Sequence, residues 1–63
     1  MNETITLHLE LPDLEALALA QFVKRVGWQE FRQNAVDEDE AYMIRAAIEK
    51  LQDALAQSGY SPR

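Results

Sequence analysis

The stretch Glu3–Pro12, "ETITLHLELP", decides how this chain is read. Ile5, Leu7, Leu9 and Leu11 alternate with Thr4, Thr6, His8 and Glu10. Period-2 alternation opening on a β-branched residue marks a strand with one apolar face. The pattern therefore predicts a β-strand over residues 3–11. Pro12 ends it, because proline offers no amide to a ladder and its fixed φ suits the first turn of a helix. No later segment repeats the alternation, so the strand's backbone groups need a partner from elsewhere. Three are open: a second copy across a two-fold axis, the sheet edge of another protein, or a short strand within residues 30–36. Self-pairing is preferred because it enlarges a marginal core, and it makes Ile5, Leu7, Leu9 and Leu11 the pairing residues of a homodimer.

Beyond Pro12 the period changes to that of helices. A first helix is expected over residues 12–26. At about 100° per residue, Ala16, Leu19, Phe22, Val23 and Val26 share one arc, with Gln21, Lys24 and Arg25 opposite. Leu14 and Leu17 fall outside that arc, where they would pack under the strand. Asp13 and Glu15 near the start, and Lys24 and Arg25 near the end, suit the helix dipole, and Gly27 supplies the stop. Trp28 and Phe31 stand three apart in a turn or short helix within residues 28–35. A long helix follows over residues 38–58. Asp37 caps it and Glu40 reaches back in a capping box. Ile44, Ile48, Leu51 and Leu55 then recur at helical spacing, with Ala41, Ala47 and Ala54 beside them. Gly59 ends the helix, with Tyr60 placed to pack against Leu55 in a Schellman motif, and "SPR" is a short tail. The expected fold is α+β: one N-terminal strand followed by two main helices, in a single small domain spanning residues 1–63.

A chain of 63 residues buries only about 60% of the surface its unfolded form exposes. Small scaffolds compensate with disulfides, metals or oligomerisation. There is no cysteine and one histidine, which leaves oligomerisation. Six Lys+Arg against eleven Asp+Glu give a net charge of −5, which disfavours direct binding to nucleic acid and favours a basic protein partner. No apolar run approaches the ~18 residues of a membrane span, and "MNETIT" lacks the basic and apolar regions of a signal peptide. The chain reads as complete and cytoplasmic, without a membrane partner.

Catalytic chemistry is hard to assemble from these residues. His8 is the only imidazole, and Ser58 and Ser61 lie far along the chain. His8 reads as an exposed or dimer-facing strand residue. Gly27 and Gly59 cannot form a phosphate-binding loop. The run "DEDE", Asp37–Glu40, fails as a calcium loop, since Ala41 and Tyr42 fill the fifth and sixth places, which call for an oxygen ligand and a glycine. The expectation is no enzyme, no cofactor and no metal.

On the long helix, Glu38, Asp39, Glu49 and Asp53 gather on one face around Tyr42 and Ala46, flanked by Arg45 and Lys50. One reading is a solvated outer face. The sharper reading is a docking stripe for a basic partner, with Tyr42 as its aromatic anchor. As a DNA mimic the stripe is sparse. Glu38 to Asp53 rises roughly 22 Å, over which duplex DNA carries on the order of thirteen charges.

The order strand, helix, glycine-containing turn, long helix resembles the ribbon-helix-helix repressors. That resemblance implies an antiparallel ribbon of two chains, with Thr4, Thr6 and His8 facing DNA, and a role as transcription regulator or antitoxin. Glu3 and Glu10 depart from it, because both would sit against phosphates or bases. No Lys or Arg precedes Lys24, and "WQEFRQNAV" exceeds the usual connection. The segments "LALAQFVKRVGW" and "AVDEDEAYMIRAAIEKLQDALAQSGYSPR" resemble short proteins of proteobacterial prophages and other mobile elements. This second resemblance implies a small phage-type interactor of the anti-CRISPR or anti-restriction kind. Together these readings favour a non-enzymatic interaction protein that engages a basic, nucleic-acid-handling protein through Glu38, Asp39, Tyr42, Glu49 and Asp53.

Overall fold

The computed structural model describes residues 3–60; the "SPR" tail and Ser61 lie outside them. Three helices follow one another: α1 (Asp13–Arg25), α2 (Trp28–Gln33) and α3 (Glu38–Gln57). The described residues contain no strand, so the fold is all-α and the α+β expectation is overturned. Residues 3–12 adopt no regular structure, and among the described residues no backbone–backbone hydrogen bond involves residues 3–11. The physical reason is the ladder. A strand is stabilised by its neighbour's donors and acceptors, and one chain with a single alternating segment supplies none. Residues 30–36 do not supply them either, since most of that segment is α2 and the turn after it. Ile5, Leu7 and Leu9 are 76%, 82% and 64% exposed, and only Leu11 is half-buried. The ribbon implied by the repressor resemblance is likewise absent from the described residues.

The helices begin and end where local chemistry directs. The Pro12 carbonyl accepts from Ala16 N at 2.9 Å, opening α1, with Asp13 and Glu15 in its first turn and Lys24 and Arg25 in its last. Val26 turns to extended backbone (φ −66°, ψ 146°) and ends it. Gly27 is therefore not the left-handed stop; its extended backbone opens α2, and its N–H donates to Glu30 Oε1 at 2.6 Å. Asn34 closes α2, its Nδ2 donating to the Glu30 carbonyl at 2.8 Å. At α3, Asp37 Oδ1 accepts from Glu40 N and Glu40 Oε1 accepts from Val36 N, both at 2.9 Å. The reciprocal cap thus reaches one residue further back than a strict capping box. At the far end Gly59 adopts φ 98°. Gly59 N and Tyr60 N donate to the Ala56 and Leu55 carbonyls at 3.0 and 2.8 Å, the paired bonds of a Schellman motif.

The core is thin. Ala16, Ala20, Val23, Ala41 and Leu55 are buried, and no large side chain among the described residues is fully enclosed. Ala20, Val23 and Leu55 form its centre, with Leu19, Ile48, Leu51 and Tyr60 packed around them. Gln52 Nε2 donates to the Val23 carbonyl at 2.7 Å, tying α3 to the last turns of α1. Two expectations for α1 fail. Phe22 is exposed rather than inward, and Leu14 and Leu17 have no strand to pack under. The helix turns its small residues to the crossing, because alanines let two axes approach closely.

Candidate interaction surface

The capped start of α3 places Glu38 and Asp39 in its first turn, where carboxylates complement the partial positive charge of the exposed amides. One and a half turns or less beyond them stands Tyr42, and about two and three further turns bring Glu49 and Asp53 onto the same face. All five side chains are exposed. The helix therefore brings together the whole expected set, but not as an isolated stripe. Arg45 Nε lies 3.6 Å from Glu49 Oε2, an i,i+4 pair with both partners more than half exposed. Such pairs contribute little to stability, so the Glu49 carboxylate stays available to a stronger cation. Asp53 lines an open cleft shared with Lys24, Gln52 and Tyr60.

Sequence reasoning missed what surrounds Tyr42. Its ring packs on Trp28 of α2, with centroids 4.6 Å apart and planes tilted by 44°. Both rings keep exposed surface. Beside them runs a shallow groove of about 320 Å³ between the helices, lined by Val23, Val26, Trp28, Phe31 and Ile48 with Arg45 and Glu49 at its edge. The signal was available in part: Trp28 and Phe31 stand three apart, but only the fold shows that α2 lays them against α3. The face thus combines outward carboxylates with an aromatic pair and an apolar recess.

His8 Nε2 lies 3.2 Å from Glu10 Oε2 on the irregular N-terminal segment, with both side chains almost fully exposed. No group of carboxylates or histidines among the described residues has metal-binding geometry. No helix of the described residues is long and apolar enough to cross a membrane. The Tyr60 hydroxyl donates to Asp13 Oδ1, joining the end of α3 to the start of α1. That bond, then desolvation and the charge of Asp13, raise the phenol above its ordinary value of 10.0.

The chain belongs to the Family of unknown function DUF7706, whose pattern it matches over residues 1–63. No curated protein and no solved structure matches it.

Proposed function

We propose that this protein is a non-enzymatic interaction module that binds a basic protein through the outward face of α3. The observation that carries the reading is the exposed Trp28–Tyr42 pair set beside Glu38, Asp39, Glu49 and Asp53. Interfaces are anchored by aromatic side chains in partly desolvated recesses, while surrounding charges set partner choice and speed of encounter. The net charge of −5 favours approach to a positive surface over a wide range of orientations. In its most specific form, the partner is a nucleic-acid-handling protein. The module occupies part of its phosphate-binding groove, in the manner of the anti-CRISPR and anti-restriction proteins of mobile elements. With four carboxylates on the face, it blocks a groove locally rather than imitating a length of duplex.

Charge reversal tests the reading. Glu49→Lys with Asp53→Lys alters two exposed side chains outside the core and is expected to weaken partner binding at least about tenfold, or roughly 1.4 kcal/mol. Helicity at 222 nm should be retained. Binding that is unchanged in this variant rules out the α3 face.

A further inference from the structure

Helix α1 carries apolar residues on both sides. Ala16, Ala20 and Val23 are buried against α3, while Leu14, Leu17, Ala18 and Phe22 lie on the faces turned away from it. Leu14 is 76% and Leu17 41% exposed. Gln21, Lys24 and Arg25 share this outward side, so Leu14, Leu17, Ala18 and Phe22 are uncovered apolar positions set among polar and charged ones. The exposed Ile5, Leu7 and Leu9 lead directly into its first turn.

The surface area says how much is missing. The chain exposes 5536 Å², whereas a compact monomer of 7.2 kDa exposes about 4,100 Å². Its radius of gyration is 12.8 Å, against roughly 10.6 Å for a compact domain of this length. The excess, about 1,400 Å², is shared between the irregular residues 3–11, nearly all of them exposed, and uncovered helix surface such as Leu14, Leu17 and Phe22 of α1.

Charge identifies the occupant. Asp13 and Glu15 stand at the start of α1, Lys24 and Arg25 at its end. The chain has six Lys+Arg, and two of them are here. We propose that the outward face of α1 binds the α1 of a second copy, antiparallel across a two-fold axis. That arrangement sets each acidic end against the other's basic end and opposes the two helix dipoles. Ala18 then meets Phe22 of the second copy on one flank, Leu17 lies along the Gln21 and Lys24 stems on the other, and Arg25 reaches the Glu15 carboxylate. A parallel pairing sets like charge on like. Two chains of −5 each repel overall, so this local complement is what permits a homodimer. The contact is helix on helix and needs no β-ribbon.

Sedimentation equilibrium of the full chain, from low micromolar to submillimolar concentration, tests the proposal. The expected mass approaches twice 7.2 kDa. Leu14→Gln with Leu17→Gln removes apolar surface from this face and sets no new charge opposite Lys24 and Arg25 of the second copy. It should weaken dimerisation at least about tenfold with helicity at 222 nm unchanged. Glu15→Arg and Arg25→Glu should each weaken the dimer, and the two together should restore it, although each substitution opposes the dipole of its own helix. A chain that stays at 7.2 kDa throughout overturns the proposal. So does a dimer that tolerates the leucine replacements, or a double charge swap weaker than either single one. Glu49 lies outside the cleft that Asp53 shares with Lys24, so Glu49→Lys alone should dimerise as the unaltered chain does.

Discussion

Replacing Leu55 by alanine tests the account of the core most sharply. Leu55 is 8% exposed and, among the described residues, is the only buried side chain larger than valine. It holds Ala20 and Val23 on one side and carries the Tyr60 contact of the Schellman turn. Removing three carbons forfeits roughly 2–2.5 kcal/mol of transfer free energy. The cavity contribution is small, because the adjoining cleft between Ala20, Val23, Gln52 and Tyr60 is open to solvent. The total is about 2.5–3 kcal/mol, in the lower half of the range for buried Leu→Ala changes. A chain of 63 residues has roughly 3–9 kcal/mol of stability in all, so this one change removes more than a quarter of it. Urea titration followed at 222 nm, at one fixed protein concentration, reads the loss. With a slope of about 1 kcal/mol per molar, the midpoint should fall by about 2–3 M. Val36→Ala, at a position 84% exposed, is the control and should shift it by less than about 0.5 M. A Leu55→Ala midpoint within the control's range refutes the assignment of this core.

Three further outcomes follow from the helix ends and from Tyr60. Asp37→Ala removes the acceptor for Glu40 N and should cost about 1 kcal/mol, read as a lower urea midpoint with a frayed start of α3 by amide exchange. Gly59→Ala meets no atom within 4 Å, so its cost is purely that of φ 98° in a residue with a side chain. That is about 1–2 kcal/mol, and an unchanged midpoint would exclude the Schellman geometry. Tyr60 has a raised pKa in the folded chain, so the contribution of its bond to Asp13 is complete below pH 10. It is lost as pH rises through the folded value. Thermal melts of Tyr60→Phe should therefore lie below those of the unaltered chain at neutral pH and converge with them in strong alkali, and a constant gap contradicts the assignment.

The helix punctuation was legible because it is local. Pro12, Asp37 and Gly59 act on amides within a few residues, and each stands at an observed helix end. Which residues form the helix crossing was less legible. Hydrophobic size favours Phe22, yet close approach of α1 and α3 selects Ala16 and Ala20, whose small side chains carry little weight in an apolar pattern. The N-terminal alternation misled for another reason. Period 2 records where side chains point, and a sheet additionally requires a second strand, which no property of the first reveals. Among candidate surface residues, Glu38, Asp39, Tyr42, Glu49 and Asp53 share a helix face by spacing alone. The Trp28 ring over Tyr42 depends on how α2 returns along α3, and only the packed chain shows it.

The central claim is that the α3 face captures a protein. Affinity capture from cell lysate should be run with and without nuclease, using the unaltered chain and Glu49→Lys with Asp53→Lys side by side. The account predicts one stoichiometric basic protein that survives nuclease and is lost from the charge-reversed chain. The same protein retained by both chains, or material recovered only while nucleic acid is intact, contradicts it.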